Sequence, residues 1–247
     1  MRDRDIDDVL NRATGASPEI DPALLNRIAN SLGASLRPVR PLPSSRVLVA
    51  ILVAACIGVA SAGAAILGLH GIRAMSAVRI ALIFPALLTL IALAAVVCES
   101  EMIPGSRHRV APWVLLVSGC LALTAVFALL FTDYRSERFV SQGIACLTAG
   151  LLLAIPTAVI SWWVLHRGFA VNSLAAGVAV GTLAGLAGVS MLELHCPNFE
   201  APHIMVWHTA VLAVSGAAGA LLVSVGRRLR RNRAGGPSEP GTGNAVH

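Results

Sequence analysis

Residues 47–69 read VLVAILVAACIGVASAGAAILGL, without one Asp, Glu, Lys or Arg. A helix rises about 1.5 Å per residue, so a run of this length reaches across a hydrocarbon layer about 30 Å thick. Five further segments of the same character follow at about 80–97, 112–131, 143–165, 170–191 and 204–225, and none of them contains those four residue types. The pattern predicts an all-α polytopic membrane protein, a six-transmembrane-helix bundle with a short cytoplasmic N-terminal helical segment.

The composition agrees. The 247 residues are 56% hydrophobic and 13% charged, with a mean hydropathy of +0.75, whereas a soluble domain is nearer a quarter charged. A water-soluble globule is excluded. All 19 basic residues are arginine, a usage that fits a GC-rich bacterial gene. The formal net charge of +6 does not point to direct nucleic-acid binding, because the arginines gather beside apolar segments and in the cluster Arg227, Arg228, Arg230, Arg231 and Arg233. That placement orients a membrane protein. With the N-terminus inside, the inner flanks hold Arg37, Arg40, Arg46, Arg107, Arg109, Arg167 and the five tail arginines, against Arg73, Arg79, Arg135 and Arg138 outside. Both termini are therefore predicted to be cytoplasmic. The rings of Trp113, Trp162 and Trp163 fall at inner span ends and those of Tyr134, Phe139 and Trp207 at outer ones, where amphipathic rings settle.

Three regions follow: residues 1–45 as a cytoplasmic segment, 46–226 as the membrane domain, and 227–247 as a basic and then disordered tail. About 45 polar residues before the first span make that span an uncleaved anchor and not a secretory signal. Asp21 and Pro22 read as the N-cap and first residue of a helix with Leu24, Leu25, Ile28 and Leu32 on one face. These four are the candidate partner-binding residues. A second short helix is expected within Arg2 to Ala16. Pro38, Pro41 and Pro43 make 36–43 an extended linker, and Gly235 to Gly241 has no apolar surface to bury.

Within the spans, Gly177, Gly181 and Gly185 recur every four residues and predict close helix packing, and Pro156 predicts a kink in the fourth span. Cys56, Cys98 and Cys120 read as small core hydrophobes. The chemistry concentrates in residues 193–208, ELHCPNFEAPHIMVWH. Cys196 is expected just outside the membrane and Cys146 about one turn into the fourth span from the same face, so the fold can bring the two sulfurs together. Such a pair can oxidise to a disulfide, and with His195, His203 and His208 it offers soft or borderline ligands suited to zinc or a heavy metal. His195, when protonated, would favour the Cys196 thiolate. His203 and Trp207, at i and i+4, are expected on one helix face, where the plain alternative is interfacial anchoring. No standard zinc spacing, phosphate loop or nucleophile motif is present, so no resident cofactor and no enzymatic activity are expected. Only His208 stands even shallowly inside a span, which also disfavours an ion-coupled transporter.

In Leu36-Arg37-Pro38-Val39-Arg40-Pro41-Leu42-Pro43, the six spans, Cys146, Cys196-Pro197, His203 and Trp207-His208, the chain resembles the six-span bacterial membrane anti-sigma factors of the NrsF type. The resemblance implies an inner-membrane protein that holds an extracytoplasmic-function sigma factor inactive through its cytoplasmic N-terminus. It further implies release of that partner when the outer cysteines sense a stress. Two other classes compete: a small-molecule transporter or channel, and a membrane redox protein using the Cys146/Cys196 pair. A sigma-factor gene beside this one would favour the first class over both.

Overall fold

The computed structural model describes residues 22–35, 43–102, 110–135, 138–166 and 172–234. The expected helix within residues 2–16, the Asp21 cap, most of the proline-rich linker and the end of the tail lie outside them. Two compact units divide the chain, Met1–Pro41 and Leu42–His247. In the first, α1 spans Pro22–Ser35, and Pro22 opens it as expected, since the first helical position needs no N–H donor. Leu25 and Ile28 are 51% and 46% exposed.

The second unit is a helical bundle. Its elements are α2 (Ser45–Leu67), α3 (His70–Ala74), α4 (Ala77–Ser100), α5 (Pro112–Leu130), α6 (Phe139–Leu165), α7 (Ser173–His195), α8 (Ala201–His203), a π-helical turn (Ile204–His208) and α9 (Thr209–Ala234). Among the described residues, six helices are long and apolar enough to cross a membrane: α2, α4, α5, α6, α7 and the continuous run Ala201–Leu229.

The helices run past the uncharged apolar segments and so take in charges near their ends: Arg46 in α2, Arg79 and Glu99 in α4, Glu193 in α7, and Arg227 and Arg228 in the last run. Helix ends are set by where backbone groups find partners and not by where the apolar run stops. The Ser76 Oγ accepts from the Arg79 N–H at 3.5 Å at the start of α4. Asn172 Oδ1 accepts from the N–H groups of Leu174 and Ala175 at the start of α7. Helix α2 stops at Gly68, whose φ of 102° is open to glycine and costly for other residues.

The six helices are not equivalent. In α7, 83% of the most apolar window is buried, against 22–33% in the other five, so α7 is the central post and the rest form its wall. The glycine stripe makes this possible. A Cβ at Gly177 would stand 2.6 Å from the Gly219 carbonyl oxygen, and one at Gly181 would overlap the Ser215 carbonyl. Helices α7 and α9 therefore meet backbone to backbone, as small residues permit inside a membrane. Gly181→Val is expected to lower stability by about 1–3 kcal/mol through overpacking, read by denaturation in detergent micelles. Gly58→Ala, where an added Cβ meets nothing within 4 Å, should leave it unchanged.

The wall faces outward with apolar side chains, among them Ile66 and Leu129, each more than 80% exposed. A continuous apolar exterior of this kind suits a hydrocarbon surrounding. At the Cys196 end the connecting segments close over the bundle. Asp133 bridges Glu200, and the Ala201 N–H donates to the Asp133 carbonyl at 2.6 Å. The Arg79 guanidinium donates to the Leu130 carbonyl at 3.2 Å and lies over the Phe131 ring, which stacks on Phe199.

Candidate functional site

Beneath that closed end, three pieces of chain meet. Helix α6 supplies Cys146. Because α6 begins at Phe139 and not at 143, Cys146 lies about two turns inside it rather than the expected one. The end of α7 supplies Glu193, and the segment after it supplies Cys196. Asn198 fixes that segment, its amide donating to Gln142 Oε1 on α6 at 2.7 Å and its Oδ1 accepting from the Glu200 N–H at 2.9 Å.

The third piece is α8 with the π turn, which supplies His203 and His208. Residues five apart in an α-helix point about 140° away from each other, given 3.6 residues per turn. The i→i+5 hydrogen bonding of a π turn stacks them instead. The turn at Ile204–His208 thus brings both imidazoles to one side, with ring centroids 5.5 Å apart. It also overturns the expected pairing of His203 with Trp207. His203 is fully buried, whereas the Trp207 ring turns to Phe139, centroids 5.4 Å apart, over the space left by Gly143.

The result is a compact group. Cys146 Sγ and Cys196 Sγ lie 3.6 Å apart, and Cys196 Sγ lies 3.7 Å from His203 Nε2. One ligand atom from each of Cys146, Cys196, His203 and His208 falls within 4.8 Å of all the others. Cys196, His203 and His208 are buried and Cys146 is partly so. Both cysteines are free thiols. Glu193 and His208, each 1% exposed, join through Nδ1 and Oε1 at 2.6 Å. Among the described residues, the buried His208 Nε2 and His203 Nδ1 make no hydrogen bond of ordinary geometry. The Cys196 thiol is pushed above its ordinary value, first by its hydrogen bond to Cys146 and then by burial, with His203 and His208 opposing.

His195 does not join this group. Its Nδ1 faces the Gly68 carbonyl at 2.9 Å and its ring meets His70 edge-on, so the expected help from His195 in forming a Cys196 thiolate has no counterpart in the geometry. Cys56 and Cys98 are fully buried in the core, Cys56 donating to the Leu183 carbonyl, and Cys120 packs against it. Sequence reasoning missed the role of Glu193. The sign was present, since the small and apolar run of α7 continues without a breaker through Met191 and Leu192 into Glu193, which carries the carboxylate into the bundle.

Two thiols at this separation can close to a disulfide on approaching to about 2.05 Å. Alternatively, two sulfurs and two imidazole nitrogens can take a soft or borderline cation. Compared with known families, residues 32–230 match the family model NrsF, described as negative regulator of sigma F. No curated protein and no solved structure matches the chain.

Proposed function

The chain belongs to the NrsF family of negative regulators of sigma F, and from that membership we propose that it is a bacterial inner-membrane anti-sigma factor. It acts by binding and not by catalysis. Its N-terminal segment sequesters an extracytoplasmic-function sigma factor at the cytoplasmic face, with both termini on that side. Stress sensed at the outer face through Cys146 and Cys196, by oxidation or by metal binding, releases the partner. The observation that carries the regulatory reading is the family match over residues 32–230. The sensing reading is supported by the 3.6 Å separation of the two sulfurs, one on α6 and one beyond α7.

A signal at this pair has a physical route inward. Drawing Cys146 and Cys196 together ties α6 to the end of the central helix α7, and α7 packs on α9 through the glycine seam. A switch requires two packings of the bundle that differ in affinity for the partner. Copurification tests the binding reading: a tagged chain expressed from its own locus is expected to retain a sigma factor without stress and lose it under stress. Capture of no sigma factor in either state would overturn it. Reporter fusions test the orientation. Those after Arg231 and within residues 107–109 should report cytoplasm, and those beside Cys196 the outside; an external C-terminus would reverse the reading.

A further inference from the structure

Glu193 is a carboxylate almost without exposure, deep at the end of the most buried helix, and its Oε1 meets His208 Nδ1 at 2.6 Å. A carboxylate only accepts hydrogen bonds, so Nδ1 carries the hydrogen, and in the neutral ring Nε2 keeps its lone pair. That nitrogen is buried and makes no hydrogen bond of ordinary geometry among the described residues, although a buried polar atom left unsatisfied is costly. It belongs to the residue that stands beside Cys146, Cys196 and His203.

Two of the distances among these groups match edges of a coordination shell, and all of the ligand atoms lie within 4.8 Å of one another. With metal–sulfur bonds of about 2.3 Å and metal–nitrogen bonds of about 2.0 Å, a tetrahedral site has a sulfur–sulfur edge of about 3.8 Å and a sulfur–nitrogen edge of about 3.5 Å. The observed edges are 3.6 Å between the sulfurs and 3.7 Å between Cys196 Sγ and His203 Nε2. A ligand atom of His208 lies within 4.8 Å of those of the other three.

We propose that Cys146, Cys196, His203 and His208 form a four-ligand site for one thiophilic cation, and that Glu193 is its positioning residue, holding His208 in the tautomer that presents Nε2 to the metal. This rests on the reading of Cys146 and Cys196 as a sensing pair and chooses its metal form. The cation is of the class that accepts two sulfurs and two imidazoles, such as Zn2+, Cu+ or Cd2+. On binding, both thiols lose their protons to water, and each imidazole ligates in its neutral form, so a ring protonated beforehand gives up that proton as well. A carboxylate behind a ligating histidine fixes the ring and raises its basicity, and removing such a partner weakens metal binding about 10–100-fold.

Co2+ titration of the full-length protein in detergent tests this, because thiolate-to-cobalt charge transfer reports sulfur ligation and the d–d bands report ligand geometry. The wild type is expected to saturate at one Co2+ per chain, and Cys196→Ser to lose the charge-transfer band. Glu193→Ala is expected to keep that band, bind about 10–100-fold more weakly and show altered d–d bands as His208 leaves the shell. Glu193→Gln keeps an acceptor but not the charge and should fall between. Absence of any cobalt band in the wild type would remove the metal site itself. A wild-type band with Glu193→Ala unchanged in affinity and spectrum would remove Glu193 alone. Should Glu193→Ala fail to fold, an unchanged Glu193→Gln titration removes the positioning role of Glu193 in its place.

Discussion

Cys146→Ser and Cys196→Ser are each expected to leave the protein in the membrane yet abolish induction of the partner sigma factor's genes, holding a reporter at its unstressed level. Either form of the signal requires both sulfurs. A disulfide has two ends, and a cation held by one thiolate and two imidazoles loses half of its soft ligands. The thiols stand 3.6 Å apart on different pieces of chain, so removing either one cuts the sulfur link between α6 and the segment after α7. Cys56→Ala should respond normally, because Cys56 lies in the core and faces the Leu183 carbonyl. Alkylation of intact cells separates the two chemistries. A redox switch labels at both positions only after reduction, and a metal site is protected by the cation and exposed by a chelator. A double variant that still answers every inducing stress would end the sensing reading and leave Cys146 and Cys196 as packing.

The six spans were legible because hydrophobicity over some twenty residues is a bulk property that needs no tertiary information. Their ends were not, since these depend on caps such as Asn172 at the start of α7 and on a carboxylate finding a buried partner. Glu193 is the clearest instance. Charge alone argued that the fifth span stopped before it, while the fold carries it inside because His208 meets it there. The glycine stripe at 177, 181 and 185 was readable as a packing face, although which helix it met was settled only by the approach of Gly219 and Ser215.

The functional cluster was half legible. Cys146 and Cys196 could be paired by depth and face alone, which the bundle topology fixes. The histidines could not be sorted. His195, next in sequence to Cys196, turns away to Gly68, whereas His203 and His208 converge through a π turn. A π turn inserts one residue into the helical register, and no periodicity argument built on 3.6 residues per turn anticipates it. Its occurrence where the two histidines meet the two thiols fits the tendency of such turns to mark functional positions.

Leu25→Asp and Ile28→Asp are each expected to weaken sigma-factor binding by more than about a hundredfold. Both side chains are about half exposed on α1, an amphipathic helix in the N-terminal unit, and large apolar groups left open to solvent on such a helix are what a partner's groove would cover. The helical spacing puts Leu24 and Leu32 on the same face, but their side chains lie outside the described residues. Replacing an apolar side chain by a carboxylate against an apolar partner surface removes its packing and buries a charge, at a cost of about 3 kcal/mol, which is more than two decades in Kd. The family match begins at residue 32, so this prediction stands on the helix and not on the match. Titration of full-length variants in detergent with the purified sigma factor gives the affinities, and residues 1–45 alone are expected to compete. Both variants must also insert normally, because the apolar spans all belong to the unit Leu42–His247 and α1 to the unit Met1–Pro41. Undiminished binding by both would take α1 out of the interface and shift the partner's docking surface to the cytoplasmic loops or the arginine-rich tail.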